Sequence, residues 1–246
     1  MTVKREYSNG SILVSGYFDE VTGTPVVDSS LVLWLDAGQT SSYPGSGTTW
    51  TDLSTNGNNG TLTNGPTFDS FNGGSILFDG SNDYVTCGTD SSLNLTTALT
   101  LDVWCYLNGF GGGDFGRLID RGNGTGTGYL FFVDNTITYG TNGIRYISDN
   151  TGGTVNDVVD LSVWQNFTLT HTGSTVNLYK NGVFFSTVPG SHSNITSGSR
   201  TLTIGGNVAA TRAFDGNISN AKIYNRVLTA TEIAQNFNAL RGRHGI

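Results

Sequence analysis

Apolar and polar positions alternate with a period of two along much of this 246-residue chain. That is the spacing at which successive side chains point to opposite faces of a strand. The clearest case spans 99–107. Leu99, Leu101, Val103, Cys105 and Leu107 share one face; Thr100, Asp102, Trp104 and Tyr106 share the other. The run Leu31-Val32-Leu33-Trp34-Leu35 reads as a strong strand. Shorter apolar segments predict strands at 75–78, 84–87, 129–133, 143–147, 164–170, 175–179, 183–187, 201–204 and 218–224, with Gly, Asn and Asp between them. Lys180-Asn181-Gly182 marks a hairpin, because Asn-Gly tolerates positive φ. About ten short strands separated by turn signals predict a two-sheet sandwich.

One helix is predicted, near the end. Thr229 and Glu232 have the spacing of a capping box. Ile233, Phe237 and Leu240 then fall on one face, and Gly242 is expected to stop the helix. Such a helix serves as a lid or brace on the sandwich, and the basic end, Arg241, Arg243 and His244, complements its C-terminal dipole. Residues 38–65 read as a long Ser/Thr/Gly/Asn loop pinned by Trp50 and Leu53, and residues 108–128 as a glycine-rich loop broken by Arg117-Leu118-Ile119. Residues 1–28, with the patches Ile12-Leu13-Val14 and Tyr17-Phe18, read as an N-terminal arm or attachment segment; the alternative is an ordinary first hairpin. The domain proper is then 29–246.

Composition agrees with an all-β chain. Gly, Thr, Asn and Ser make up 116 of 246 residues, and charged residues only 13%. Hydrophobic residues reach 36%, including 13 Phe, 10 Tyr and 4 Trp, which argues against disorder. The apolar segments are built from Val, Ile, Thr, Phe and Tyr rather than from strong helix formers. A net charge of −7 and a pI near 4.7 leave no electrostatic footprint for nucleic acid. No apolar run reaches the ~18 residues of a membrane span. The start, MTVKREYSNGS, has no apolar h-region, so no secretory signal is expected. Cys87 and Cys105 sit in apolar strand-like runs and are expected as buried free thiols; two cysteines alone are too few to hold a metal.

Several segments together are similar to one family. Phe78-Asp79-Gly80-Ser81-Asn82-Asp83-Tyr84-Val85 resembles its early strand-turn-strand signature. Leu99 to Cys105 resembles the following core strand, and Trp164 to His171 the middle strand. Leu178-Tyr179-Lys180-Asn181-Gly182-Val183 resembles its hairpin, and Thr203-Ile204-Gly205-Gly206 the next strand. Phe214 to Ile218, Tyr224 to Leu228 and Glu232-Ile233 resemble its closing strand and helix. The order of these six matches, spread over about 31–240, resembles the laminin-G-like, concanavalin A-like lectin/glucanase jelly-roll domains of bacterial and phage type. The resemblance implies an all-β, concanavalin A-like two-sheet antiparallel β-sandwich (jelly roll) with one short C-terminal helix. It does not by itself imply a function, since one fold hosts many.

Hydrolases of this fold set Glu and Asp close together on one strand, as acid and nucleophile. Here the only glutamates are Glu6, Glu20 and Glu232, and Asp102 is a lone carboxylate in its strand. His171, His192 and His244 have no Ser or Cys partner pattern. The expectation is therefore no enzyme. Related domains hold a structural calcium near the early Asp-Gly turn and the closing strand. Asp79, Asn82, Asp83 and Asp215 are the matching candidate calcium ligands, although Ser219 stands where the family carries a carboxylate; no other cofactor is expected. Candidate ligand-binding aromatics are Trp104 and Tyr106 on the outward face of their strand, and Phe110 and Phe115 in the glycine-rich loop. Laminin-G-like domains work outside cells, and a phage protein needs no secretory signal because it leaves by lysis. These points lead to a non-enzymatic virion structural protein, a capsid decoration or fibre-type component assembled in the host cytoplasm. Its partners would be major capsid or tail proteins, host surface glycans and further copies of itself, with neither nucleic acid nor membrane. The alternatives are a free carbohydrate-binding module or adhesin domain and, more remotely, a β-glucan hydrolase.

Overall fold

The strand Asp215–Tyr224 organises the molecule by pairing with three others. The computed structural model describes residues 25–122, 127–139, 141–196 and 198–246. Among them sixteen strands and one α-helix follow in chain order. They are β1 (Leu31–Asp36), β2 (Thr49–Trp50), β3 (Gly60–Thr63), β4 (Thr67–Asp69), β5 (Ser75–Asp79), β6 (Tyr84–Thr86), β7 (Leu99–Gly109) and β8 (Arg117–Gly122). The second half holds β9 (Gly128–Asp134), β10 (Gly143–Ser148), β11 (Thr151–Val155), β12 (Trp164–His171), β13 (Val176–Lys180), β14 (Val183–Thr187), β15 (Thr203–Ile204), β16 (Asp215–Tyr224) and α1 (Ala230–His244).

Two antiparallel sheets result. The first has the order β14-β13-β12-β7-β16-β5-β4, with β1 also on β16. On the side of β16 away from β7, residues 215–218 pair with β5 and residues 220–224 with β1. The second sheet has the order β11-β10-β9-β8-β15-β6-β3-β2. The fold is the expected two-sheet sandwich with a C-terminal helix. Leu99, Leu101, Val103, Cys105 and Leu107 are fully buried between the sheets, with Phe78, Ile119, Phe131 and Tyr146. Fully burying an aliphatic side chain contributes about 1.5–3 kcal/mol, so this face of β7 is a main source of stability. Both cysteines are free and buried there, and burial pushes both thiols up from the usual range.

The other face of β7 does not meet solvent. Helix α1 lies across it and closes a second core containing Trp34, Trp104, Tyr179, Tyr224, Ile233 and Leu240. The capping box is formed, with the Thr229 side chain accepting from the Glu232 N–H. The helix runs past Gly242 and ends at Gly245 in the left-handed region (φ 72). A helical glycine costs about 1 kcal/mol relative to alanine. The next turn offsets this, because Arg243 grips Asp36 (2.7 and 3.2 Å) and His244 bonds Ser219 (3.1 Å).

The strand count exceeds the expectation because several strands carry no apolar alternation. β2 and β3 lie inside the segment read as a loop, and β11, Thr-Gly-Gly-Thr-Val, has little to bury. Backbone ladders define these strands. Trp50 is fully buried and Leu53 packs on the second core, as a pinned segment requires. The hairpin turn is as expected, with Asn181 and Gly182 at φ 51 and 76. Residues 1–24 of the expected arm lie outside the described residues. Of its last four, Val26 and Val27 belong to the helix-covered core: Val27 N–H donates to Asn236 (2.8 Å), and the Tyr224 hydroxyl donates to the Val27 carbonyl (2.9 Å).

Candidate functional site

The central carboxylate of the first sheet is locked beneath α1. Asp102 on β7 accepts from Thr168 (2.6 Å) and Asn166 (3.2 Å) on β12 and pairs with Lys222 on β16 (3.3 Å). Lys222 also donates to Asn220 at 2.5 Å. Asp102 and Lys222 are almost wholly buried. Burial pushes the Lys222 ammonium down, opposed by the Asp102 and Asp36 charges. Glu232 binds Arg226 through both oxygens (2.6 and 2.9 Å) and the Thr229 N–H (2.8 Å). The Arg226 hydrogen bond first, and the Thr229 N–H second, lower its carboxyl to about 2. A general acid for glycoside cleavage needs a raised pKa and an open face; neither carboxylate offers both.

Two of the four predicted ligand-binding aromatics, Trp104 and Phe110, are buried. Trp104 is fully buried, stacked parallel on Phe237 of α1 (ring centroids 5.4 Å apart, planes 4° apart) and on His244 (4.4 Å). His244 is wedged between Trp104 and Trp164, 4.4 Å from each. Burial, with Arg243 adding to it, lowers its pKa to about 3, so the ring is neutral near pH 7. Tyr106 is half-buried against Trp164 (5.8 Å). Phe110 sits in the inter-sheet core. The expected outward face of β7 is a helix interface, because α1 supplies the apolar partner that solvent cannot. Tyr106 and Phe115 both stand outside the two cores, half-buried.

Three of the candidate calcium ligands, Asp79, Asp83 and Asp215, come close together. Asp79 accepts from the Ser81 and Asn82 N–H groups (2.8 and 3.2 Å), and Asp83 from the Asp79 N–H (3.0 Å). Asp215 is the register partner of Asp79 across β16 and β5. Asp79, Asp83 and Asp215, with Asn64 and Asn108, line a cleft of about 320 Å³; Asn82 is not among its lining residues. Burial raises the Asp83 carboxyl, which the Asp79 N–H opposes. Among the described residues, no group of three or more His, Cys, Asp or Glu is placed to hold a metal ion. Asp79 and Asp83 thus each hold the turn through one carboxylate oxygen bonded to backbone N–H groups. A second cleft, about 530 Å³, is lined by Asn56, Asn58, Asn59, Thr61, Thr86 and Asp90 among others. Amides and hydroxyls dominate it, groups able to bond sugar hydroxyls.

The outer face of the second sheet is different in kind. Register sets Arg117, Phe132 and Arg145 in one row across β8, β9 and β10. Arg117 lies over Phe132 (3.9 Å from guanidinium carbon to ring centroid), Arg145 over Tyr139 (3.7 Å) and Arg212 over Phe115 (4.7 Å). Phe115 joins the three stacks, 6.0 Å from Phe132 and 6.3 Å from Tyr139. Two carboxylates take part: Asp120 accepts from Arg117 Nε (3.0 Å), and Asp134 from Arg145 Nη1 (3.4 Å). Sequence reasoning found Phe115 and missed the arginines. They sit 28 or more residues apart in sequence, and no local pattern signals that strand register will align them.

The chain belongs to the concanavalin A-like lectin/glucanases superfamily, whose laminin G-type family model matches residues 79–234. No curated protein matches it. Among solved structures, the binding domain of Paraclostridial Mosquitocidal Protein 1 is similar at a TM-score of 0.64 and 16% identity, covering 86% of this chain and 52% of that one. The binding domain of botulinum neurotoxin DC, solved in complex with rat synaptotagmin II, gives 0.65 and 14%, covering 87% and 52%. Domain 4 of AbnA, an extracellular arabinanase of Geobacillus stearothermophilus solved with arabinotriose, gives 0.64 and 13%, covering 85% and 99%. The chain thus spans about half of the toxin binding domains and nearly all of the arabinanase domain. At these identities the likeness is one of fold.

Proposed function

We propose that this chain is a non-catalytic domain that holds saccharide, carried as an exposed component of a tailed-phage particle. The observation that carries the first half is the position of Asp102, the one carboxylate at the middle of the first sheet, sealed under α1 in an ion pair with Lys222. A sheet whose central carboxylate is sealed in an ion pair can retain a sugar but offers no acid and nucleophile at that position with which to cleave its linkage. The arabinanase domain that was solved with arabinotriose supports the same reading, as do the polar clefts and the aromatic outer face of the second sheet.

The particle half has separate support. β14 is the edge strand of the first sheet and exposes Val183 (69%), Phe184 (52%) and Phe185 (45%). An uncharged apolar edge is suited to docking on another protein. A glycan array together with a reducing-sugar assay on β-glucans tests the first half; binding without release of reducing ends is expected, and turnover at an enzymatic rate overturns it. Mass spectrometry of purified virions from the source tests the second. Absence of the chain from particles removes the virion placement and leaves the binding role standing.

A further inference from the structure

We infer that the outer face of the second sheet carries a subsite for the carboxylate of an acidic sugar, formed by Arg117, Arg145 and Arg212 around Phe115 and Tyr139. This inference rests on the saccharide-holding role proposed above and names the class of sugar.

The first argument is the concentration of charge. The chain is acidic, with only 12 Lys and Arg against 19 Asp and Glu. Three of those cations gather on one face, where among the described residues two carboxylates, Asp120 and Asp134, pair with them. Arg145 and Arg212 are near enough to Arg117 that their charges add to the burial that lowers its pKa. Asp120 offsets part of this through its charge and its hydrogen bond to Arg117, and a ligand anion beside Arg145 and Arg212 would add to that offset.

The second argument is hydrogen-bonding capacity. A guanidinium offers five N–H donors in a planar fork. Asp120 engages Arg117 through Nε, and Asp134 engages Arg145 through Nη1. Arg212 reaches only the Gly112 carbonyl, at 3.5 Å. Each guanidinium is held by its face on a ring, so stacking fixes its orientation without consuming the donor edge. A planar carboxylate matches that edge two bonds at a time.

The third argument concerns the rest of the ligand. Tyr139 is 51% exposed and Phe115 half-buried, so apolar ring surface borders the cations. A pyranose presents an apolar C–H face beside its polar groups and can rest on such rings while its carboxylate meets the guanidinium edges. A simple anion uses the arginines alone.

Calorimetric titration of the full chain at low salt separates these cases. The probes are galacturonate, glucuronate and mannuronate oligosaccharides, their neutral methyl esters, and inorganic phosphate. At least one uronate should bind, its methyl ester at least tenfold more weakly, and phosphate more weakly still. Arg212→Gln and Arg145→Gln should each weaken uronate binding about tenfold, with the thermal midpoint of Arg212→Gln close to the parent's. Equal binding of acid and ester, or uronate binding untouched by both substitutions, overturns the inference and leaves the saccharide role intact. Phosphate binding as tight as the uronate's overturns the sugar assignment. Failure of every acidic and neutral saccharide, there and on the glycan array, removes the proposed function and this subsite together.

Discussion

The two sheets have outward faces of similar origin and opposite fate. Each carries polar and aromatic side chains at alternate strand positions. On the first sheet, α1 covers Trp34, Trp104 and Tyr224 and converts the face into a second core. Its charges are neutralised in place, Asp102 by Lys222 and Asp36 by Arg243. Among the described residues no helix covers the second sheet. Phe132 is covered by arginine and by a loop aromatic instead, and Arg117 and Arg145, largely buried, gather with Arg212 beside the exposed Tyr139. The difference teaches that an aromatic on the outward side of a strand is not yet a ligand platform; what matters is whether another element of the same chain already occupies it. A buried charge network under a helix holds structure together, whereas a cation cluster that no helix covers retains the capacity to bind.

Four measurements break or sharpen this contrast. The largest effect is expected on the covered face. Asp102→Ala leaves Lys222 buried and unpaired and should cost about 3–5 kcal/mol in urea unfolding, whereas Asp102→Leu combined with Lys222→Met should recover most of that loss. A single variant within 1 kcal/mol of the parent would mean that the pair is not sealed.

The next effect is one of pH. His244 titrates near 3 when folded, against an ordinary 6.5. Because the folded value is depressed, the unfolded chain binds more protons between these limits, so stability falls as pH drops from 6.5 toward 3. The slope is up to about 1.4 kcal/mol per pH unit. Glu232 adds a loss of the same sign as pH falls from 4.5 toward 2. Denaturant midpoints measured at pH 7 and pH 5 should differ in the parent and differ much less in His244→Phe.

A smaller effect belongs to the clamp that starts the helix. Thr229→Ala removes the side-chain cap and should lower stability by about 1 kcal/mol, read from thermal or urea unfolding. The smallest is expected on the open face. Arg212→Gln should change stability by no more than about 0.5 kcal/mol. A loss of several kcal/mol would make that face a structural core like the other and end the contrast.

Local signals were legible where chemistry is local. The capping box needs only Thr229 and Glu232 three residues apart, and the Asn181-Gly182 turn needs only two residues able to take positive φ. The odd positions of 99–107 went to the core because five apolar side chains on one face of a strand have no other stable place. The even positions were not legible in the same way. Trp104 and Tyr106 look identical, from sequence, whether solvent or a helix lies above them. Phe110 and Phe115, five residues apart in one glycine-rich segment, divided between the core and the surface only when the loop between β7 and β8 took its path.

The sequence by itself therefore determined an all-β sandwich, its hairpin, its capped closing helix and its two buried thiols, since each follows from the preferences of neighbouring residues. Tertiary structure alone decided which face is sealed and which is open. Arg243 meets Asp36 across 207 positions of chain, and Arg117, Phe132 and Arg145 form a row only because β8, β9 and β10 pair in one register. Contacts of that span depend on how distant strands close upon one another, and shifting a strand by one residue would turn every one of its side chains to the other face.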